Sequence, residues 1–377
     1  MSRRIYFHIG APKSGTTYLQ SLLWLNREEL RERGLLFPGH RPFDQNRASL
    51  AVRGDRRDGS GGAVWQRFVQ RAREFDGDVM LSNEWYVEAT AEQIRGAVDD
   101  MATAGEVHVV FTARDLVAQI PAGWQETLKL GTGLSLDGFV ERLDDASQQW
   151  CWRSLDAAEA LEDWAAVVPA ERIHVVTVPR STAEPDLLWR RFLSVPGVDA
   201  AGLRTDLATA NESLGVEAAR LLQEFGPALL AAVDPDNSPW QEPYDWLRNY
   251  IAHEVLVPLG GRRIGVGDAL GERLRARSAA MVDRLLTAGY DLVGDTADLL
   301  DGKPRADSVH PDDVPAEAVL ERAEVLTARL LADLRAERKK TRALEGDEAP
   351  DAAQRVAGLL PEGAKSVARR LRRKMSR

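Results

Sequence analysis

Gly10-Ala-Pro-Lys-Ser-Gly-Thr-Thr17 is the stretch on which the reading of this chain turns. It follows Arg4-Ile-Tyr-Phe-His-Ile9, a short, mostly apolar run that reads as a buried strand. It precedes Tyr18-Leu-Gln-Ser-Leu-Leu-Trp-Leu25, which opens a helical pattern. Strand, glycine-containing turn and helix start together make a cradle for phosphate-like anions. Glycines let the backbone come close to the ligand, and the first helical turn adds N–H groups and partial positive charge. A turn using glycine only for positive φ would explain Gly10 and Gly15 but not Lys13 with Thr16 and Thr17.

The position of the lysine narrows the ligand. A nucleoside-triphosphate loop, G-x-x-x-x-G-K-[ST], carries its lysine directly after the second glycine. Gly10 and Gly15 keep that separation, but Thr16 stands where the lysine would be, and Lys13 lies inside the loop. The order Pro12-Lys-Ser-Gly-Thr-Thr17 resembles the 5′-phosphosulfate loop of the sulfotransferases that use 3′-phosphoadenosine 5′-phosphosulfate (PAPS). The resemblance covers residues 1–300. It implies a P-loop-like fold with PAPS as co-substrate and 3′-phosphoadenosine 5′-phosphate as product, without a metal. It implies that Pro12, Lys13, Ser14, Gly15, Thr16 and Thr17 hold the 5′ end of the donor. In the same pattern an Arg after the third strand and a Ser eight positions on bind the 3′-phosphate. Arg114 fits the first place, whereas Ala122 stands in the second. Asn211 and Ser213 resemble a later polar cluster of bacterial members that approaches the nucleotide; helix capping accounts for both equally well.

Bulk properties set outer limits. The chain of 377 residues accommodates one large α/β domain with appendages, or two small domains. A net charge of −9 argues against generic nucleic-acid binding. The single cysteine, Cys151, excludes an intrachain disulfide and fits a reducing compartment. No apolar run approaches the roughly 18 residues of a membrane span, so a soluble cytoplasmic protein is expected.

Short apolar strands at 4–9, 78–82, 106–112 and 173–178 alternate with helical stretches. That alternation predicts a three-layer α/β sandwich with a parallel sheet of about four or five strands, followed by a helical second half. Residues 35–37 read as a short strand or extended turn. The Gly-, Arg- and Asp-rich segment 40–62 reads as an acceptor lid or a solvated loop. Helices are expected at 119–129, with Pro121 in the first turn, and at 147–167. The expected organisation is a domain at 1–300, a linker at 301–315, an amphipathic helix at 316–345 and a basic, disordered tail at 346–377.

Lys13, Glu84 and Arg114 fall at the carboxyl ends of three strands, the edge where open α/β sheets bind ligands. Lys13 is the candidate for stabilising a departing phosphate, and Arg114 offers a guanidinium fork to a terminal phosphate. Glu84 is the candidate base for an acceptor proton, with Glu126 as its rival. Asp115 reads as a helix-start carboxylate, and His8 as a packed core histidine. His40 is a weaker base candidate. Gln125 and Lys129 share a helix face that is either ligand-facing or solvated. Trp85, Trp124 and Trp152 are candidates for stacking on adenine or a sugar.

The expectation is therefore transfer of a sulfuryl group from PAPS to a hydroxyl or amine of a carbohydrate, glycolipid or small metabolite. A P-loop kinase and a non-catalytic nucleotide-binding protein stay open. Expected partners are the acceptor, a second copy through the helix at 316–345, and anionic lipid through the basic tail, but no nucleic acid.

Overall fold

The computed structural model describes residues 3–55, 61–180, 183–207, 213–239, 241–300, 302 and 307–358, with side chains described to 343. Eight strands are present among them: β1 Arg4–His8, β2 Leu35–Leu36, β3 Asp78–Ser82, β4 Glu106–Ala113, β5 Ile173–Thr177, β6 Arg263–Ile264, β7 Asp291–Val293 and β8 Ser308–Val309. Six form a parallel sheet in the order β2-β3-β1-β4-β5-β7. β6 and β8 pair separately. The chain leaves β1 for β3 on one side and returns to β4 on the other, so the direction of winding reverses at the carboxyl end of β1. That reversal opens the crevice in which such sheets bind ligands.

Alternation along the strands divides the interior into two layers. Ile5, Phe7, Val79, Leu81, Val109 and Phe111 face one side, under helices Gly61–Glu74 and Ala91–Ala102. Tyr6, Met80, Val110 and Val176 face the other, under the first helix, Thr16–Leu25, and helix Leu187–Ser194. Phe7 lies at the centre of the first layer, with Trp65, Tyr86 and Trp164 ring centroids 5.4–6.3 Å away.

The α/β class and the parallel sheet agree with the sequence pattern, but the sheet has six strands. β2 and β7, of two and three residues, are too short to show a period. Segment 40–62 is not one loop, since it contains helix Asp44–Val52 and the start of helix Gly61–Glu74; residues 56–60 lie outside the described set. The helix expected at 119–129 begins earlier, as Leu116–Leu128, because Asp115 caps it by accepting from Ala118 N at 3.0 Å. Pro121 therefore falls inside that helix. The helix expected at 147–167 is three short ones, Trp152–Leu155, Ala157–Ala160 and Glu162–Ala165. Asp156 has extended backbone, and its carboxylate takes Ala158 N and Glu159 N, so it stops one helix and starts the next.

Residues 1–319 form one compact unit and 320–377 a second. Helix Ala316–Gly358 contributes Leu320, Val325, Leu330, Leu331 and Leu334 as exposed apolar side chains. The cationic stretch 365–377 lies outside the described residues. No helix among the described residues is long and apolar enough to cross a membrane.

Phe7→Ala removes the ring around which one layer packs. It is expected to cost about 3–5 kcal/mol, read as a lower urea midpoint at an unchanged slope.

Candidate active site

The loop between β1 and the first helix is held from beneath by β4. Backbone bonds run from Ile9 N to Val110 O, Ala11 N to Thr112 O and Thr112 N to Gly10 O, at 2.7–3.1 Å. The Thr112 hydroxyl donates to Gly10 O at 2.8 Å and stands 2.6 Å from the Ser14 hydroxyl, which reaches Ala11 O at 2.5 Å. His8 lies behind them, with Nδ1 2.7 Å from Ser82 Oγ and Nε2 3.3 Å from Thr112 Oγ1. It is a core residue, as expected, and also a brace for the loop. Burial holds its imidazole down to about 3, so it is neutral at neutral pH.

Two more bonds shape the loop's upper edge. Arg114 Nη1 donates to Lys13 O at 2.8 Å, and Gln119 Nε2 to Pro12 O at 2.9 Å. Lys13 has a φ of 63°, left-handed for a residue with a side chain, which costs about 1–3 kcal/mol and is held by those contacts. Gly15, at φ 85°, is the N-cap of the helix. A Cβ there would come within 2.6 Å of Leu188 Cδ2. Helix geometry leaves the N–H groups of Thr16, Thr17 and Tyr18 without intrahelical acceptors. Ser14 is fully buried, and its N–H goes to Ala11 O at 3.3 Å. Its part is internal to the loop.

Glu126 is surrounded by cations. Its Oε1 accepts from Lys13 Nζ and from Lys129 Nζ, both at 2.8 Å, and its Oε2 lies 3.5 Å from Arg248 Nη2. Burial pushes this carboxyl up, but Lys13 and Lys129 outweigh it and hold it at about 2. A carboxylate so acidic and so occupied is a poor proton acceptor at neutral pH. Glu126 is thus a counter-ion. Lys129 is fully buried on it, on a face the sequence left open to solvent.

Glu84 stands on the short 3₁₀ turn Glu84–Glu88 that follows β3. Its Oε2 accepts from Gln20 Nε2 at 2.8 Å. A Cβ on Gly10 would lie 3.2 Å from Glu84 O, so glycine lets the loop and this turn pack together. A cavity of about 440 Å³ is lined by Lys13, Thr16, Thr17, Glu84, Arg114 and Glu126 on its loop side, and by Trp85, Trp150, Tyr244 and Arg248 opposite. A second cavity of about 410 Å³ carries Arg180, Arg263 and Ser308. Arg114, Ala122, Gln125 and Ser213 line both, so the two adjoin.

Of the sequence candidates, Pro12, Lys13, Gly15, Thr16, Thr17, Glu84, Arg114 and Ala122 come together at the first cavity. Asn211 lies outside the described residues. Trp85 lines the cavity, paired edge-on with Trp150 at 5.6 Å. Trp124 is buried with its Nε1 on Leu134 O, and Trp152 lies under the Arg277 guanidinium, so neither is a stacking surface. His40 is exposed on a turn and lines neither cavity. Arg180, Arg263, Trp150, Tyr244 and Arg248 carried no motif that tied them to the loop, because they lie far from it in the chain. Among the described residues no cluster of three or more His, Cys, Asp or Glu could hold a metal ion.

No family model matches the chain, and no curated protein matches it. A crystal structure of a sulfotransferase from Alicyclobacillus acidocaldarius is similar to it, at 16% identity and a TM-score of 0.38 over 62% of this chain and 96% of that one. A likeness this distant carries no argument about activity, and the functional reading rests on the site's own geometry.

Two outcomes are expected. Glu126→Gln leaves Lys129 buried without a carboxylate and costs about 3–5 kcal/mol in urea unfolding, most of it recovered by Glu126→Gln with Lys129→Met. His8 binds no proton in the folded state until well below the roughly 6.5 of an unfolded histidine, so acidification favours unfolding. From pH 7 to pH 5 this group removes about 2 kcal/mol, and His8→Asn should show a pH dependence weaker by that amount.

Proposed function

We propose that this chain is a PAPS-dependent sulfotransferase acting on a hydroxyl or amine. One observation carries the reading. A glycine-containing loop with an internal lysine lines one of two adjoining cavities, Arg114 lines both, and Arg180 and Arg263 line the second. Such a cleft suits a nucleotide with anionic groups at both its 5′ and 3′ ends. The residues fit that donor. Lys13 and the N–H groups of Thr16 and Thr17 would take the 5′ phosphosulfate, while Arg114, Arg180 and Arg263 would take the 3′-phosphate. The Ser absent at Ala122 then matters less, because Ser213 and Ser308 line the same cavity.

When bound, the donor supplies an activated sulfuryl group with a phosphate leaving group. Glu84 receives the acceptor proton as the acceptor oxygen or nitrogen attacks sulfur. Lys13 stabilises charge on the departing phosphate oxygen, helped by the helix N-terminus. Glu126 holds Lys13 Nζ at the cavity wall by their 2.8 Å ion pair, and Lys129 keeps Glu126 in place. Trp85, Trp150 and Tyr244 shield the reacting atoms from water. A soluble cytoplasmic setting, dimerisation through the helix at 316–345 and lipid contact through the basic tail belong to the same proposal.

Calorimetry should find micromolar binding of 3′-phosphoadenosine 5′-phosphate and little binding of ATP–Mg. Equal affinity for adenosine 5′-phosphate would remove the role given to Arg114 and its neighbours. Lys13→Ala should lower transfer about a hundredfold or more, and near-normal turnover in it sinks the mechanism. Glu84→Gln should slow turnover about 10²–10⁴-fold at unchanged nucleotide affinity.

A further inference from the structure

The reaction cavity has a neighbour that the donor does not need. A groove of about 360 Å³ runs along the first helix, between Thr17, Ser21, Trp24 and Leu25 on one side and Phe37 and Leu207 on the other. Two residues join it to the site. Thr17 lines both spaces. Gln20 lines the groove and holds Glu84 Oε2 at 2.8 Å. A molecule whose polar end reaches Glu84 therefore has this groove beside it.

The chemistry of the lining selects what fits. None of its described residues is charged. The amide of Gln45, in the floor, is already spent, with Nε2 on Pro38 O at 2.7 Å and Oε1 accepting Ser82 N at 2.9 Å. Phe37 belongs to the core layer on this side, and Trp24, Leu25 and Leu207 pack partly against that layer. A charged group would lose hydration here with no opposite charge to replace it, and a sugar would find few polar partners beyond Thr17, Gln20 and Ser21, whereas an aliphatic chain gains by leaving water. From Thr17 to Leu25 the helix rises about 12 Å, the length available to such a chain.

We propose that the acceptor is an amphiphile, with its hydroxyl or amine at Glu84 and its aliphatic chain in this groove. This rests on the sulfuryl-transfer reading and chooses among its acceptor classes. For an alcohol, the oxygen bonds to sulfur as the bond from sulfur to the 5′-phosphate oxygen breaks. The proton passes to Glu84, and the electron pair leaves on 3′-phosphoadenosine 5′-phosphate.

The test titrates n-alkanols from butanol to decanol into the full chain, with and without 3′-phosphoadenosine 5′-phosphate. Affinity should rise about fourfold per methylene until the groove is full. Ser21→Trp fills the groove from a partly exposed position, and Leu25→Glu puts a charge in it. Both should lose the chain-length dependence while keeping nucleotide affinity, and Ser21→Trp should also keep the unfolding midpoint. With PAPS supplied, mass spectrometry should find decyl sulfate forming faster than butyl sulfate. A flat dependence, or the same rise in both variants, overturns the groove. Chain binding without alkyl sulfate, in protein that binds the nucleotide, overturns the acceptor assignment. Chain binding in wild-type protein that binds no nucleotide removes the transfer reading, and the acceptor role with it, and leaves an alkyl-binding site.

Discussion

The Thr112 hydroxyl is the contact on which the site depends. It ties the end of β4 to Gly10 O and Ser14, and His8 stands behind it. Through it the loop's lower carbonyls and hydroxyls are satisfied inside the protein. The helix N–H groups above are left for a ligand. A glycine-containing turn without that support would sample many conformations, and the entropy of ordering it would be charged to every binding event. Here the order of the loop is built into the fold, which is what preorganised electrostatic stabilisation of the proposed donor would require.

The same logic governs charge. Lys13, Lys129 and Arg248 converge on the single carboxylate of Glu126, which leaves the cluster with an excess of two positive charges. Burial lowers the Lys129 ammonium below the ordinary lysine value, and Glu126 offsets only part of that. The arrangement keeps a cationic wall facing the cavity while the chain as a whole is acidic, at net charge −9. Local field and bulk charge therefore point in opposite directions, and only the local field bears on the ligand.

Much of the fold was legible because its signals are local. Residues 4–25 carry strand, turn and helix in one continuous run, and β3, β4 and β5 are apolar enough to read as buried parallel strands. The failures were local as well. Asp115 and Asp156 cap helices by accepting backbone N–H groups, which moved one helix start and broke one long helix into three. Asp115 reads from the sequence as a helix-start carboxylate, which it is, whereas Asp156 reads equally well as an ordinary polar position until its backbone angles are known. The edge strands β2 and β7 owe their conformation to the neighbours they pair with.

By itself the sequence determined the anion loop, the parallel sheet and the presence of Lys13, Glu84 and Arg114 at strand ends, because these depend on residue order over a few positions. The tertiary structure decided what those residues do. It paired Glu126 with Lys13, Lys129 and Arg248, withdrew Ser14, Trp124 and Trp152 into the interior, and brought Arg180, Arg263, Trp150 and Arg248 to the two cavities. These outcomes are set by burial and by charges more than 100 residues apart in the chain, as between Lys13 and Glu126. A pKa, a cavity and an ion pair arise only when the sheet winds in both directions from β1 and brings such residues to one edge.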